Sequence, residues 1–373
     1  MADYKPLGAE EVRSIAQAYL EAREHKSTAQ ERPTIVLVGG QPGAGKSRAA
    51  SLARTDLAAR GGYVHVDADR MRERIPRGDE RPSSEQTQAD AGRLVTTLRD
   101  LATQARRHMV EEGTFRNAEG LAKFIESRKA AGYGVEVLAV ATPREESLLG
   151  IYQRYELQHL AGADNPRFVP ESYHDEAMQG FAGALAHNAG AADRVRVVDR
   201  AGNLLFDSAQ RDNAHSGAVA AMAAGRELTD DKLGAVGRAW AAVKAQAETR
   251  SAPAEADAYL AAVRGHADRI AGVQSQRIDA HARRHLLVHV DELRGDRRFT
   301  GHQAGELLKA AYFRGVHEKA AAFDGRSPDF GKLDTTLASR DMLRRLPEVE
   351  ALPALKERDH VRNPRDDDDG RTL

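Results

Sequence analysis

The sequence predicts an α/β fold, with a parallel sheet flanked by helices, followed by an α-helical carboxyl-terminal region. Short apolar runs alternate with helical patterns as far as about residue 208, which indicates strands joined by crossover helices. A glycine-rich loop follows the first of these runs. Beyond about residue 227 the chain is rich in alanine, and its apolar residues recur only at helical spacing.

The elements of the first part are expected in the following order. A helix at 8–23 precedes a buried strand at 34–38, the glycine loop and a helix at 47–60. A short strand at 63–66 follows, and then a long helix at 91–110. The remaining predicted segments are a helix that closes at 127–132, strands at 134–141 and 193–199, and a return strand at 204–206.

The length of 373 residues indicates more than one domain. We expect the sheet domain at 1–208 and, from its small polar residues, a linker at 209–226. A helical region of unknown role is expected at 227–360. The acidic run near the end predicts a flexible tail at 361–373.

Composition narrows the class of protein. The net charge of −1 argues against a protein that holds nucleic acid through an excess of positive charge. No apolar run is long enough for a membrane span, and the first residues do not look like a secretory signal. The chain has no cysteine, which excludes disulfides and thiolate metal sites. A cytoplasmic protein is the expectation.

The glycine loop reads GQPGAGKS and matches the phosphate-binding loop pattern Gly-x-x-x-x-Gly-Lys-Ser between a strand and a helix. Its glycines let successive backbone N–H groups face phosphate oxygens, and the following helix begins with free N–H groups. We therefore expect ATP and Mg²⁺ as cofactors, with the Ser47 hydroxyl as a metal ligand. The predicted nucleotide-binding residues are Gly40, Gln41, Pro42, Gly43, Ala44, Gly45, Lys46 and Ser47.

Carboxylates follow the next strand. Alternation along an extended chain would place Asp67 and Asp69 on the same side at the carboxyl end of that strand. One carboxylate there could take a proton from an attacking hydroxyl, and the other could help to organise Mg²⁺. A helix cap is the structural alternative for Asp67 and Asp69.

Arginines stand in three later segments. Arg116 follows a predicted strand end, and Arg154 and Arg167 lie further along the chain. The guanidinium group matches phosphate oxygens and stabilises charge that develops during transfer. Arg154 and Arg167 are therefore candidate catalytic residues beside Lys46 and Asp69.

Together these motifs make the chain resemble the zeta toxin family, the kinase toxins of bacterial toxin–antitoxin systems. The resemblance covers roughly residues 10–208 and rests on the order and spacing of five segments. These are GQPGAGKS, DAD at 67–69, EGTFR at 112–116, YQRYE at 152–156 and RFVPESYHD at 167–175. It implies a P-loop kinase fold.

The resemblance also implies an activity: transfer of the ATP γ-phosphate to a 3′-hydroxyl of UDP-N-acetylglucosamine, which blocks cell-wall synthesis. It places Asp69 as general base, Lys46 and Ser47 at the nucleotide phosphates and Mg²⁺, and Arg154 and Arg167 as the γ-phosphate clamp. The substrate-side residues by the same resemblance are Glu112 and Thr114. We also predict Arg116 as a substrate-binding residue and Asp67 as support on the same side.

This sequence departs from the family pattern at a few positions. Thr96 stands where many members carry an acidic substrate contact, and Glu111 adds a second acid before the EGT glycine. Phe115 is bulkier than the glycine that some members carry. In this family a separate antitoxin typically places a helix over the nucleotide site, and the helical region of this chain could do so in cis.

Two other readings stay open: a P-loop kinase of another metabolite, such as a nucleoside, a dinucleotide or an antibiotic, and an NTP-driven regulatory or binding module. The helical region contributes one more pattern. His281, His285 and His289 recur at i, i+4 and i+8, which suits a metal ion. We favour a structural role for them, because the sequence shows no second cluster of ligands.

Overall fold

The computed structural model describes residues 4–22, 27–76, 86–163, 166–210, 214–250, 256–294 and 301–326. The chain divides into two compact units, Met1–Leu228 and Thr229–Leu373. The predicted acidic tail at 361–373 and the end of the predicted helical region lie outside the described residues.

A single sheet organises the amino-terminal unit. Its strand order is β2-β3-β1-β4-β5-β6; β1 to β5 pair in parallel and β6 pairs antiparallel with β5. The predicted α/β fold is confirmed. The strands are β1 Thr34–Gly39, β2 Val64–Val66, β3 Met109–Gly113, β4 Gly134–Ala141, β5 Arg194–Asp199 and β6 Leu204–Asp207.

Helices connect and cover these strands. Side chains of β1 alternate between two apolar clusters, Ile35 and Leu37 in one, Val36 and Val38 in the other, so that both faces of the sheet are buried. The helices are α1 Ala9–Glu21, α2 Lys46–Ala58, α3 Ala68–Glu73, α4 Gln88–Gln104, α5 Ala118–Ala130, α6 Arg144–Leu160, α7 Glu171–Asn188 and α8 Ala214–Gly225.

The parallel register places the candidate site. Gly39 at the end of β1 is level with Gly113 at the end of β3, and Val66 at the end of β2 is level with Glu111. The glycine loop, the segment after β2 and the end of β3 therefore meet at one edge of the sheet. Ligands of open α/β sheets bind at the carboxyl ends of the strands.

The structure corrects two predicted segments. The helix predicted at 91–110 ends at Gln104, and Arg106 has a φ of 51°, a left-handed conformation that stops it before β3. The predicted linker at 209–226 contains helix α8, whose Ala218 and Met222 are buried. A Cβ on Gly225 would lie 2.5 Å from that of Ala141, so small residues that suggested a linker permit close packing instead.

The carboxyl-terminal unit is helical where the structure describes it, with α9 Asp230–Thr249, α10 Ala256–Arg294 and α11 Gly301–Asp324. Helix α9 buries an apolar stripe that includes Trp240. Leu308 and Ala311 of α11 are buried, whereas Leu307 is exposed. Among the described residues, no helix is long and apolar enough to cross a membrane.

Candidate active site

The glycine loop has a backbone that only glycine adopts without strain. Gly43 and Gly45 have φ values of 74° and 96°, and Gly45 is the residue before helix α2. A Cβ on Gly43 would lie 1.9 Å from the carbonyl oxygen of Ser147, so no side chain fits there. The sequence motif therefore folds as a tight loop that leads into a helix N-terminus, as a phosphate site requires.

Lys46 turns back over this loop. Its Nζ donates hydrogen bonds to the carbonyl oxygens of Gly40 at 2.9 Å and Gln41 at 3.0 Å. Burial lowers the pKa of Lys46 to about 8; Glu112 opposes the shift and Arg154 adds to it. An anion next to the ammonium group would reverse this shift, because it favours the charged form.

Ser47 stands in the first turn of α2 and is exposed. A hydroxyl at this point fits the ligand that Mg²⁺ takes beside bound phosphates. The assignment of Ser47 as a metal ligand stays a prediction.

Asp67 caps a helix. Its Oδ1 accepts a hydrogen bond from the backbone N–H of Arg70 at 2.9 Å, because β2 ends at Val66 and α3 begins at Ala68. The prediction that strand alternation aligns Asp67 with Asp69 is therefore wrong. Burial raises the pKa of Asp67, with Glu112 and Asp69 adding to the shift.

Asp69 lies in the first turn of α3 and is held by two arginines. It pairs with Arg167, which precedes α7, and with Arg72 at 2.5 Å. Burial by itself would raise the pKa of Asp69, but the two guanidinium groups outweigh it and the pKa lies below its usual value. Both guanidinium groups bond Oδ1 of Asp69, so this carboxylate oxygen is already engaged.

Arg154 projects from α6 with an unmet hydrogen-bonding need. Its Nε is buried and has no hydrogen-bond partner among the described residues. Burial lowers the pKa of Arg154, Arg167 adds to the shift, and Asp69 opposes it. A buried donor without a partner indicates a place for an acceptor, and the neighbouring cations Lys46 and Arg167 indicate that the acceptor is anionic.

The two acids at the end of β3 point to opposite faces of the sheet, as strand alternation requires. Glu112 bonds His65 of β2, with 2.8 Å between Oε1 and Nε2 and both side chains buried. Glu111 is held by Arg99 of α4 through bonds of 2.9 and 2.6 Å. Only Glu112 lies on the side of Lys46. Glu111, the unusual second acid, forms a structural ion pair with Arg99 instead.

The residues after β3 make a bend. Phe115 has a φ of 42°, a conformation that favours glycine, and its ring packs against the apolar core. Thr114 is half-buried beside it. Arg116 is placed against α7, where it pairs with Glu176 at 3.0 Å and lies 4.9 Å from the ring centre of Tyr173. The substrate-side roles of Thr114 and Arg116 stay predictions.

A buried chain of hydrogen bonds under the glycine loop was missed by the sequence analysis. The amide of Gln41 donates to Ser147 Oγ at 3.1 Å, and Ser147 Oγ lies 2.8 Å from His174 Nε2. His174 Nδ1 lies 2.9 Å from Asp175, a carboxylate that can only accept, so Nδ1 carries the proton. Burial lowers the pKa of His174, which keeps it neutral.

These hydrogen bonds link the same residue types as a Ser–His–Asp triad, but Ser147 and His174 are completely buried. They anchor the side chain of Gln41 and so fix the loop from below. Gln41 can therefore offer only its backbone to a nucleotide. Gln41 and Asp175 are 134 residues apart in the sequence, so no local sequence motif predicts these hydrogen bonds.

Two further arginines support the loop. Arg200, just after β5, donates to the carbonyl oxygen of Gly43, and it lies 3.7 Å from Glu146. Arg226, after α8, donates to the carbonyl oxygen of Met178 at 3.0 Å, and the same nitrogen lies 3.5 Å from Oε1 of Gln41 in the loop. Burial lowers the pKa of Arg200, and it lowers that of Arg226 to about 10. Neither lies in a recognisable motif.

Comparison with known proteins decides the family. The family model described as Zeta toxin matches residues 17–211, just over half of the chain. The chain belongs to the zeta toxin family. The resemblance inferred from the five sequence segments is thus confirmed.

Individual zeta toxin relatives are moderately similar to this chain. Toxin PezT of Streptococcus pneumoniae serotype 4 is 28% identical over 194 residues, which cover 50% of this chain and 75% of that protein. Toxin zeta of Enterococcus hirae is 29% identical over 192 residues, covering 48% of this chain and 65% of that protein.

One solved structure extends the likeness to the fold. A chain from the structural characterisation of the PezAT chromosomal toxin–antitoxin system of Streptococcus pneumoniae aligns with a TM-score of 0.53 at 19% identity. The alignment covers 65% of this chain and 99% of the other. At this identity the likeness is one of fold.

Proposed function

We propose that this zeta toxin family member is an ATP-dependent kinase that phosphorylates the 3′-hydroxyl of UDP-N-acetylglucosamine or a related sugar nucleotide. The observation that carries the proposal is the grouping of Lys46, Arg154 and Arg167 with the carboxylate of Asp69 at the carboxyl edge of the sheet. These are the groups that phosphoryl transfer needs: cations for the transferred phosphate and a base for the attacking hydroxyl.

The residues present fit a bound nucleotide. The glycine loop leads into the N-terminus of α2, Lys46 is a half-buried cation, and Arg154 has an unpaired buried Nε. Lys46 would hold the β- and γ-phosphates, and Arg154 and Arg167 would hold the γ-phosphate. Bound Mg²⁺ supplies charge neutralisation at the phosphate oxygens, and the Ser47 hydroxyl is the ligand proposed to hold it.

The pairing of Asp69 with Arg167 suggests how the base becomes available. A carboxylate with a lowered pKa and two guanidinium partners is a poor proton acceptor. When Arg167 turns to a phosphate it releases Asp69, and the pKa of Asp69 rises towards its usual value. Asp69 then accepts the proton of the sugar hydroxyl late in the transfer, where a weak base suffices.

The acceptor side is proposed from the end of β3 and the cap of α3. Glu112 is held rigidly by His65, with one carboxylate oxygen engaged, so its other oxygen can accept from a substrate hydroxyl or amide. Thr114 and Arg116 follow in the same bend, and Asp67 supports the start of α3 that carries Asp69. Phe115 lies in the same bend, with its ring beside Gly113, and is a candidate determinant of which sugar nucleotide fits.

The experiment incubates the purified chain with ATP, Mg²⁺ and UDP-N-acetylglucosamine and follows the nucleotide pool by mass spectrometry. Asp69→Asn is the matched control, because it keeps the shape of the side chain and removes the base. We expect a phosphorylated sugar nucleotide with the parent chain and at least about 10²-fold less with the variant.

The alternative activities give different results in the same assay. ATP turnover with an unmodified sugar nucleotide would contradict the proposed acceptor and direct the search to nucleosides, dinucleotides and antibiotics. ATP hydrolysis that no hydroxyl acceptor accelerates would favour an NTP-driven regulatory module. A product formed equally by Asp69→Asn would contradict the assignment of the base.

We also propose regulation of this activity by an antitoxin partner, supported by the toxin–antitoxin system named for the solved structure of similar fold. Inhibition by the carboxyl-terminal unit of the same chain is the competing form. Expression of residues 1–228 alone, which form a compact unit, separates the two forms. Greater toxicity than the full chain would support inhibition in cis, and equal toxicity would favour a separate antitoxin.

A further inference from the structure

Two helices of the carboxyl-terminal unit bring three metal-ligating side chains together. His281 and His285 lie one turn apart on α10, and Glu318 lies on α11. Glu318 Oε2 is 3.0 Å from His285 Nε2 and 3.6 Å from His281 Nε2. The three ligand atoms all lie within 4.8 Å of one another. We refer to these residues as the His–His–Glu cluster.

The sequence alone does not identify Glu318 as a ligand. The helical spacing of His281, His285 and His289 suggested a metal, but no second group of ligands was visible in the sequence. The side chain of His289 lies outside the described residues, and Glu318 takes the third place from a helix more than 30 residues away.

The distances in the cluster suit a zinc-sized ion. Bonds of about 2.0–2.1 Å from Zn²⁺ to imidazole nitrogen and carboxylate oxygen, in tetrahedral geometry, separate the ligand atoms by about 3.4 Å. The two distances to Glu318 Oε2, 3.0 and 3.6 Å, fall on either side of that value. The two histidine nitrogens lie within 4.8 Å of each other, and side-chain rotations that bring them to about 3.4 Å would place all three atoms around one ion.

The helix crossing is built to hold this geometry. Gly315 lies one turn before Glu318, and a Cβ there would be 2.7 Å from Cα of Ala282 and 3.2 Å from Cδ2 of His285. The absent side chain lets α11 approach α10 beside the cluster. Ala282, between the two histidines, is completely buried. The histidines and the glutamate thus face each other across a close contact of two backbones.

Charge around Glu318 leaves one oxygen for a metal. Its Oε1 lies 3.2 Å from Nε of Arg314, so Oε2 is the oxygen that faces the histidines. A hydrogen bond to the second oxygen is how proteins orient carboxylates that bind metals. The three side chains are about 26 to 33% exposed, which lets an ion enter from solvent and leaves space for water as a fourth ligand.

We propose that the His–His–Glu cluster binds a divalent transition-metal ion of the zinc class, which cross-links α10 and α11. Two neutral imidazoles and one carboxylate match the preferences of Zn²⁺, whereas Mg²⁺ prefers sites made of oxygen ligands. The site is independent of the phosphotransfer chemistry proposed above, because it lies wholly in the carboxyl-terminal unit.

The test is calorimetric titration of ZnCl₂ into the full chain, prepared without a polyhistidine tag and freed of metal with EDTA. We expect one ion per chain with a dissociation constant below about 10 μM, and at least about 30-fold weaker binding in His285→Gln and in Glu318→Gln. His317→Gln is the matched control, since His317 precedes Glu318 on the same helix and lies outside the cluster. MgCl₂ at the same concentrations should give no binding to this site.

Thermal unfolding followed by Trp240 fluorescence gives a second readout. Trp240 is the only tryptophan of the chain and is buried on α9, in the same unit as the cluster. Zn²⁺ at about 100 times its dissociation constant should raise the midpoint of this unit by about 5–10 °C. Glu318→Gln should abolish the increase, and His317→Gln should keep it.

Two results would overturn the proposal. Absence of Zn²⁺ binding tighter than about 1 mM would leave the cluster as ordinary histidine–glutamate ion pairs. Tight binding that survives both His285→Gln and Glu318→Gln would place the ion on other residues.

Discussion

The cations of the candidate site and the charged residues of the carboxyl-terminal unit are compensated to different degrees. In the amino-terminal unit, burial lowers the pKa of Lys46, Arg154 and Arg226. In the carboxyl-terminal unit, Asp230 has a lowered pKa because it is bonded by Lys319 and by Arg277, the latter at 2.6 Å. The site cations of the first unit lack full compensation, whereas Asp230 of the second unit is paired with two cations.

This difference separates function from packing. Cations without full compensation cost stability, so they are retained where a ligand completes them. They occur here around one glycine loop, the place where a P-loop protein receives phosphates. Matched pairs on helices, such as that of Asp230 with Arg277, serve the fold alone. The predictions below test whether that division holds.

The largest effect is expected for Lys46→Ala. Lys46 spans the loop and contributes charge to the proposed phosphate site. We expect the rate of phosphotransfer to fall by roughly 10³-fold or more, because positioning and charge neutralisation carry most of this chemistry. A rate within a few-fold of the parent chain, measured by single-turnover transfer from ATP, would refute the assignment of the loop.

Arg154→Met and Arg277→Met make the most direct comparison between the units. Removing Arg154 should slow transfer by roughly 10²–10³-fold, while the amino-terminal unit stays as stable or gains up to about 1 kcal/mol. Removing Arg277 should lower stability by less than about 1 kcal/mol and leave transfer unchanged, because the pair is partly exposed.

Rates from the nucleotide assay and denaturation midpoints of the same samples provide the measurement for this pair of variants. If Arg154→Met destabilised its unit and retained activity, Arg154 would be a structural residue and the contrast between the units would fail.

A smaller effect is expected for His174→Leu. It removes the buried link between Ser147 and Asp175 and should cost about 2 kcal/mol of unfolding free energy. Because Ser147 holds Gln41, we also expect ATP binding to weaken several-fold. Urea denaturation and ATP titration provide the measurements. His187→Gln, on an exposed position of the same helix, is the control and should change neither quantity.

The smallest expected effect is the uptake of a proton by the protein when ATP binds. The pKa of Lys46 is lowered to about 8, so above that pH the nucleotide-free protein loses the proton that bound phosphate would retain. Between about pH 8 and 10.5, Lys46 binds more protons in the unfolded chain than in the folded one. Its contribution to folding stability therefore rises with pH in this range. At pH 8.5 we expect uptake of roughly 0.7 proton per nucleotide.

Calorimetry of ATP binding in buffers with different ionisation enthalpies measures this uptake. Lys46→Met should abolish it. Equal uptake by the parent chain and by that variant would assign the proton to another group.

Much of this architecture follows from the sequence because the signals are local. The strand before GQPGAGKS, the glycines and the following helix are contiguous, and β4 is found at its predicted bounds of 134 and 141. Parallel strands then bring Lys46, Asp69 and Glu112 to one edge without further information.

The remaining features depend on contacts between distant residues. Strand alternation was predicted for Asp67 and Asp69, but Asp67 caps α3 instead. Its carboxylate accepts a hydrogen bond from a backbone N–H of the helix, so the helix begins directly after β2. Helix α8 looked like a linker because its packing uses alanine and glycine. His174, Arg200 and Arg226 support the loop from separate elements, and Glu318 joins histidines on another helix.

The central claim is that the cations of the amino-terminal unit deliver a phosphate directly to a sugar hydroxyl. We would test it first by supplying ATP whose γ-phosphate carries ¹⁸O, together with Mg²⁺ and UDP-N-acetylglucosamine, and by following the label with mass spectrometry. The account predicts labelled phosphate on the sugar nucleotide with the parent chain and at least about 10²-fold less of it with Lys46→Ala or Asp69→Asn. Label found only in inorganic phosphate, with the sugar nucleotide unchanged, would contradict it.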